Sequence, residues 1–230
     1  MTGRSVVLPE LRKACAVAAG RLLSVASDAV VVVGAGPATA TWDPEGRLNA
    51  AAWAGGLGGD RATESPGGSP PRGYTGLPLA LGLGAQMLDE AGYAGPRVLQ
   101  AISQAATSAE CLALGEAVAG LAPRVALLVV GDGSARRSPA APGHFDERAE
   151  AFDVSAESFL RTGDMAGLAS LDPGLADELL ATGRAAWQVL AGAVGLDRRA
   201  PADVLYADIP FGVSYLVAVL DHLPPDPQED

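Results

Sequence analysis

The sequence is poor in the residues that most often do chemistry. Its 230 residues contain two histidines, His144 and His222, so any site built on several imidazoles has only those two positions to draw on. Cysteine is equally scarce. Cys15 and Cys111 form no CxxC pair, which excludes a cysteine zinc site and a disulfide framework and points to a reducing compartment. Lys and Arg number 16 against 27 Asp and Glu, a net charge of -11. Nucleic acid and anionic membranes need a basic face, so neither is expected as a partner. Long apolar runs are missing too: the longest uncharged stretch, residues 73–88, is broken by Pro78 and several glycines and does not read as a membrane span. Charges at Arg4, Glu10, Arg12, Lys13 and Arg21 interrupt the N-terminal region, so no signal peptide is expected and the location is expected to be cytoplasmic. Aromatics make up only 5% of a chain that is 49% apolar. The core must therefore be built largely of alanine and valine, which suits close helix-on-sheet packing.

What is present alternates strand and helix. A chain of this length predicts one α/β domain over residues 1–223, with a Gly/Pro-rich loop at about 50–76 and a charged, proline-rich tail at 224–230 expected to be disordered. Apolar residues at Leu11, Cys15, Ala18, Leu22 and Val25 mark a helix opened by Pro9. The run Ala29-Val30-Val31-Val32-Val33 reads as a strand buried on both faces. Gly34 and Gly36 have the spacing of a dinucleotide fingerprint. The third glycine position is Thr39, however, and a turn at Trp42-Asp43-Pro44 leaves no room for the helix that motif needs. A helix follows over residues 77–91, stopped by Gly92, then a strand over 97–102. Thr107 with Glu110 forms a capping box ahead of a helix carrying Cys111, Leu114, Val118 and Leu121. A strand from Val125, helices beyond His144, Asp172 and Gly183, and two β segments joined by Pro210-Phe211-Gly212 complete the order. The fold class expected is α/β, a central mixed and largely parallel sheet with helices on both faces.

Polar groups are densest in residues 125–153, where the strand ends in Gly131-Asp132-Gly133-Ser134, at the sheet edge where open α/β folds keep their sites. The candidates for a cleft or ligand site are Asp132, Ser134, Arg136, His144, Asp146, Tyr206 and Asp208. Each has a plainer reading. Asp132 before glycine is a natural turn former, and Ser134 is a nucleophile only with a base beside it. Arg136, with Arg137, suits bidentate recognition of a carboxylate or phosphate but also suits solvent. His144 and Asp146 stand where a helix begins, and Tyr206 and Asp208 alternate along a strand.

The segments VVGDGSARR, APGHFDERAEAFD, GRAAWQVLAGA and YADIPFGVSYLVA together resemble actinobacterial members of the class III extradiol ring-cleavage dioxygenases, in the B-subunit-like superfamily that includes the Memo proteins. The resemblance spans residues 28–220. It implies that superfamily's sheet and, in active members, iron(II) held by two histidines and a glutamate with a third histidine as acid/base. This chain departs from the pattern. No histidine precedes position 144, Gly34-Ala35-Gly36-Pro37 follows the valine strand, Ala135 follows Ser134 where the acid/base histidine would stand, and Gly183-Arg184-Ala185-Ala186-Trp187 lacks the glutamate. The expected cofactor set is thus empty. What the resemblance then implies is a degenerate member, either a binder of a small aromatic or anionic molecule or a noncatalytic subunit of a homo- or hetero-oligomer. The alternative left open is an active enzyme with a non-standard metal or hydrolytic site around Asp132 and His144.

Overall fold

The computed structural model describes residues 8–46 and 76–221; the Gly/Pro-rich segment, Trp53, His222 and the C-terminal tail lie outside them. Strand β1 (Ala29–Gly36) is the centre of a four-stranded mixed sheet ordered β2-β3-β1-β4. It pairs in parallel with β3 (Arg97–Ser103) and β4 (Val125–Val130), while β2 (Ala40–Trp42) adds an antiparallel edge to β3. The valine run dictates this central place. Val30 to Val33 are at most 1% exposed, and because a strand alternates its side chains they feed two different cores. Val30 and Val32 meet Leu81, Ala85 and Leu88 of α2 (Leu79–Glu90). Val31 and Val33 meet Cys111 and Leu114 of α3 (Ser108–Ala119) together with Ala185 and Val189 of α7 (Arg184–Val194).

A third core gathers Phe152 and Leu160 of α4 (Arg148–Thr162), Met165 and Leu168 of α5 (Met165–Ala169), and Ala176 of α6 (Pro173–Glu178), with Leu179 just beyond it. This cluster packs against an antiparallel hairpin of β5 (Ala202–Asp208) and β6 (Tyr215–Leu220). Helix α1 (Pro9–Ser24) reaches the same hairpin, where Arg21 donates to Asp203 and Asp221 at 2.6 and 2.8 Å. No described helix is long and apolar enough to cross a membrane.

Small residues set the helix spacing. A Cβ on Gly115 of α3 would run into the backbone of Val189 and Ala193, and one on Gly192 of α7 would run into that of Leu112. These two helices therefore touch backbone to backbone. Gly34 answers to the same need, since its Cβ would lie 2.5 Å from that of Ala80, and β1 leads into β2 rather than into a nucleotide-binding helix. The capping box forms as expected: Thr107 Oγ1 accepts from Glu110 N–H at 3.3 Å, and Glu110 Oε2 accepts from Thr107 N–H at 2.7 Å.

Several expectations need correction. Val25 lies past the end of α1 and is exposed, with Ala14 and Ala19 taking the deepest places instead. Leu121 is exposed because α3 stops at Ala119. Helix α4 begins at Arg148, so Phe145 lies outside it and is 58% exposed. The five-residue α5, capped by Asp164 onto Gly167 N–H, was too short to show a period.

Burial pushes the Cys111 thiol up to about 11, so little thiolate exists at neutral pH. Native labelling of Cys111 by an aromatic disulfide reagent is expected to run at least about a hundredfold slower than in denaturant. Rapid native labelling would show that α3 does not seal this face of the sheet.

Candidate functional site

β3 and β4 flank β1 on opposite sides, so the chain reverses its direction of travel across the sheet. Immediately past β4, Gly131 meets the start of α7. A Cβ on Gly131 would overlap Gly183 Cα, one on Gly183 would lie 2.6 Å from the Trp187 ring, and Gly183 N–H donates to Asp132 O at 2.8 Å. Glycine at both positions is what allows strand end and helix to touch.

The loop beyond is stitched to the hairpin. Gly133 N–H donates to Ser214 O at 3.3 Å, Ser214 N–H to Ser134 O at 3.0 Å, and Arg137 N–H to Gly212 O at 3.0 Å. Beneath it sits Asp153 of α4, whose side chain is 5% exposed. Its Oδ1 accepts from Ser134 N–H at 2.9 Å and its Oδ2 from Arg137 Nη1 at 3.1 Å. Burial raises the Asp153 pKa, and the bonds from Ser134, Arg137 and Ser214 oppose that rise.

Between β4, α4, α7 and the hairpin lies a cleft of about 370 Å³. Val129, Leu160, Leu190 and Leu216 give it apolar walls, with Trp187 and Tyr215 as aromatic surfaces. Its charges are Arg137 against Asp153, Glu157 and Asp208, an acidic balance that disfavours an anionic ligand.

Of the seven residues singled out from sequence, Asp208 lines this cleft. Asp132 stands beside it: the Tyr215 hydroxyl is pushed up first by burial and then by the Asp132 charge. Asp132 is solvent-exposed at its surface, yet the protein around it raises its pKa by desolvation. Ser134 is fully buried, its Oγ donating to Leu179 O at 2.9 Å and accepting from Arg136 N–H at 3.1 Å, so it ties the loop together. Arg136 Nη1 donates to Gly143 O at 2.5 Å and closes the same loop. His144 is exposed, in a left-handed conformation with φ 60°. Asp146 is held by Arg148, which lowers its pKa to about 2. The stability Asp146 contributes is thus present above the ordinary 3.8 and is lost as pH falls through about 2. Tyr206 and Asp208 share a 3.4 Å hydrogen bond at the surface. Asp153, Arg137, Tyr215 and Trp187 were not among the seven. The available signal was Asp153 itself, a carboxylate on the apolar stripe of Ala149, Phe152, Ala156 and Leu160.

The described residues do not fit the iron centre that the resemblance implies. Among the described residues no three His, Cys, Asp or Glu side chains converge as a metal site, and His144 projects from an exposed loop.

Fold and cleft together define an α/β protein with a mixed, mostly parallel sheet, helices packed on it, and a crevice beside its outermost parallel strand. No family model matches the chain, and no curated protein matches it. Among solved structures it is similar to the crystal structure of uncharacterized protein JW3007 from Escherichia coli K12, with a TM-score of 0.54 and 15% identity over 94% of this chain and 93% of that one. That likeness is one of fold.

Proposed function

We propose that this chain is a noncatalytic relative of the class III extradiol dioxygenases that binds a small, neutral or cationic, aromatic-bodied molecule. The observation that carries the reading is the cleft itself: apolar walls and two aromatic surfaces closing on the buried Arg137–Asp153 pair, with an acidic rim and no converging metal donors among the described residues. Arg137 and Asp153 hold each other, so they shape the cleft and offer a ligand polar edges without presenting a free charge. A noncatalytic subunit of a larger assembly would use the same cleft.

Fluorescence titration with catechol and with a cationic aromatic amine tests this, because Trp187 lines the cleft. Saturable quenching is expected in the native protein and is expected to be lost in Trp187→Phe, while Trp42 and Trp53 still emit. Quenching that persists in that variant, or none with either probe, would contradict the proposal.

A further inference from the structure

Helix α7 opens with an arginine directed into the protein. Arg184 is 3% exposed. Its Nη1 donates to Ala106 O at 2.7 Å and to Gln188 Oε1 at 3.1 Å, and its Nη2 donates to Gln104 O at 2.6 Å, with Cys111 Sγ 3.8 Å from Nη1. None of these acceptors carries a formal charge in the neutral-pH protein. Asp172 and Asp177 act on the guanidinium only from beyond ion-pair distance. Burying a charge without a countercharge is costly, and here burial presses the guanidinium's pKa down.

The guanidinium also has donors left over. Of its five N–H groups, the two on Nη1 and one on Nη2 are engaged. Nε–H and the second Nη2–H have no acceptor among the described residues. Arg184 and Gln104, whose carbonyl accepts from Nη2, also line a pocket of about 50 Å³ together with Thr182, Ala185 and Asp177. That is room for about three or four water molecules, hence for a halide or a carboxylate group and not for an aromatic ring. The cavity lies at the amino-terminal end of α7, whose helix dipole adds positive potential.

We propose that this cavity, separate from the main cleft, is a binding site for a compact monovalent anion, taken up by the spare N–H groups of Arg184 with the Thr182 hydroxyl at its rim. A free halide and the carboxylate of a small metabolite share the required chemistry. Asp177 on the same wall opposes the anion and keeps its affinity modest.

The test is thermal unfolding of the full chain at constant ionic strength with the sodium salt of HEPES, whose sulfonate is bulkier than a carboxylate, replaced stepwise by chloride or by formate. A saturable rise in Tm is expected; a response to chloride alone assigns a halide site, and one to formate a carboxylate site. Asp177→Asn, an exposed substitution, is expected to tighten the apparent Kd about fivefold by removing a nearby like charge. Arg184→Met is expected to abolish the dependence. Should that variant not fold, bromide-soaked crystals of the native protein keep the proposal falsifiable, with an anomalous peak expected beside Arg184. Identical Tm values in all three salts, or bromide bound only elsewhere, would overturn it.

Discussion

Asp153→Ala is expected to cost about 3–5 kcal/mol of stability, because it breaks a buried pair by removing one partner. The substitution leaves the Arg137 guanidinium, whose side chain is 12% exposed, with only the exposed Glu150 carboxylate at 3.7 Å, and leaves Ser134 N–H without its acceptor. The loop over the cleft depends on both. Asp153→Asn retains an acceptor for Ser134 and should cost roughly half as much. It should also change the pH profile in a defined direction. The folded-state pKa of Asp153 lies above the ordinary 3.8, so the native state binds this proton more tightly than the unfolded chain does. Its contribution to stability is therefore largest below 3.8 and declines as pH rises through its folded value. The stability difference between the native protein and Asp153→Asn should shrink across that window and then level off. Urea unfolding at a series of pH values measures this, and a difference that grows with pH would show the Arg137 pairing outweighing desolvation.

Gly115→Ala is expected to cost about 3 kcal/mol, at the upper end of overpacking penalties. Most inserted methyl groups press on side chains that can turn aside. This one meets the backbone of Val189 and Ala193, and α7 cannot retreat without lifting Ala185 and Val189 from Val31 and Val33 of β1. Gly120, at the end of the same helix, is the control. It has φ -82°, and its added Cβ would make ordinary contacts at 3.5 and 3.6 Å. Gly120→Ala should be neutral or stabilising by up to about 1 kcal/mol. Equal losses at both positions, in chemical denaturation with unchanged m-values, would refute backbone-to-backbone packing of α3 on α7.

The central strand was legible in the sequence because four consecutive β-branched residues bury well only with cover on both sides, and cover is what the structure provides. The Thr107–Glu110 cap was legible because it is local, needing only residues three positions apart. The cleft was harder to see. Its lining comes from β4, α4, α7 and a hairpin that begins some seventy residues beyond the Gly131 loop, and no spacing rule links Asp153 to Ser134 or Ser214. The Asp132–Ser134 loop stands out in the sequence as a polar turn at a strand end, where each residue also has a structural reading. Ser134 and Arg136 hold the loop, and the groups that shape the cleft are Asp153, Arg137 and Trp187. Two charged residues facing inward, Asp153 on the apolar face of α4 and Arg184 at the start of α7, are the signals the sequence carries for these buried sites. Each marks a place where a buried charge needs a partner.

The reading of the protein as a noncatalytic binder is tested most directly by its metal content after anaerobic reloading with iron(II), followed by oxygen uptake with catechol. Less than about one iron per ten chains, with no catechol-dependent uptake, is the predicted result; a histidine–carboxylate iron(II) site would instead load to full occupancy. About one tightly held iron per chain, lost in His144→Ala and accompanied by oxygen consumption, would contradict it.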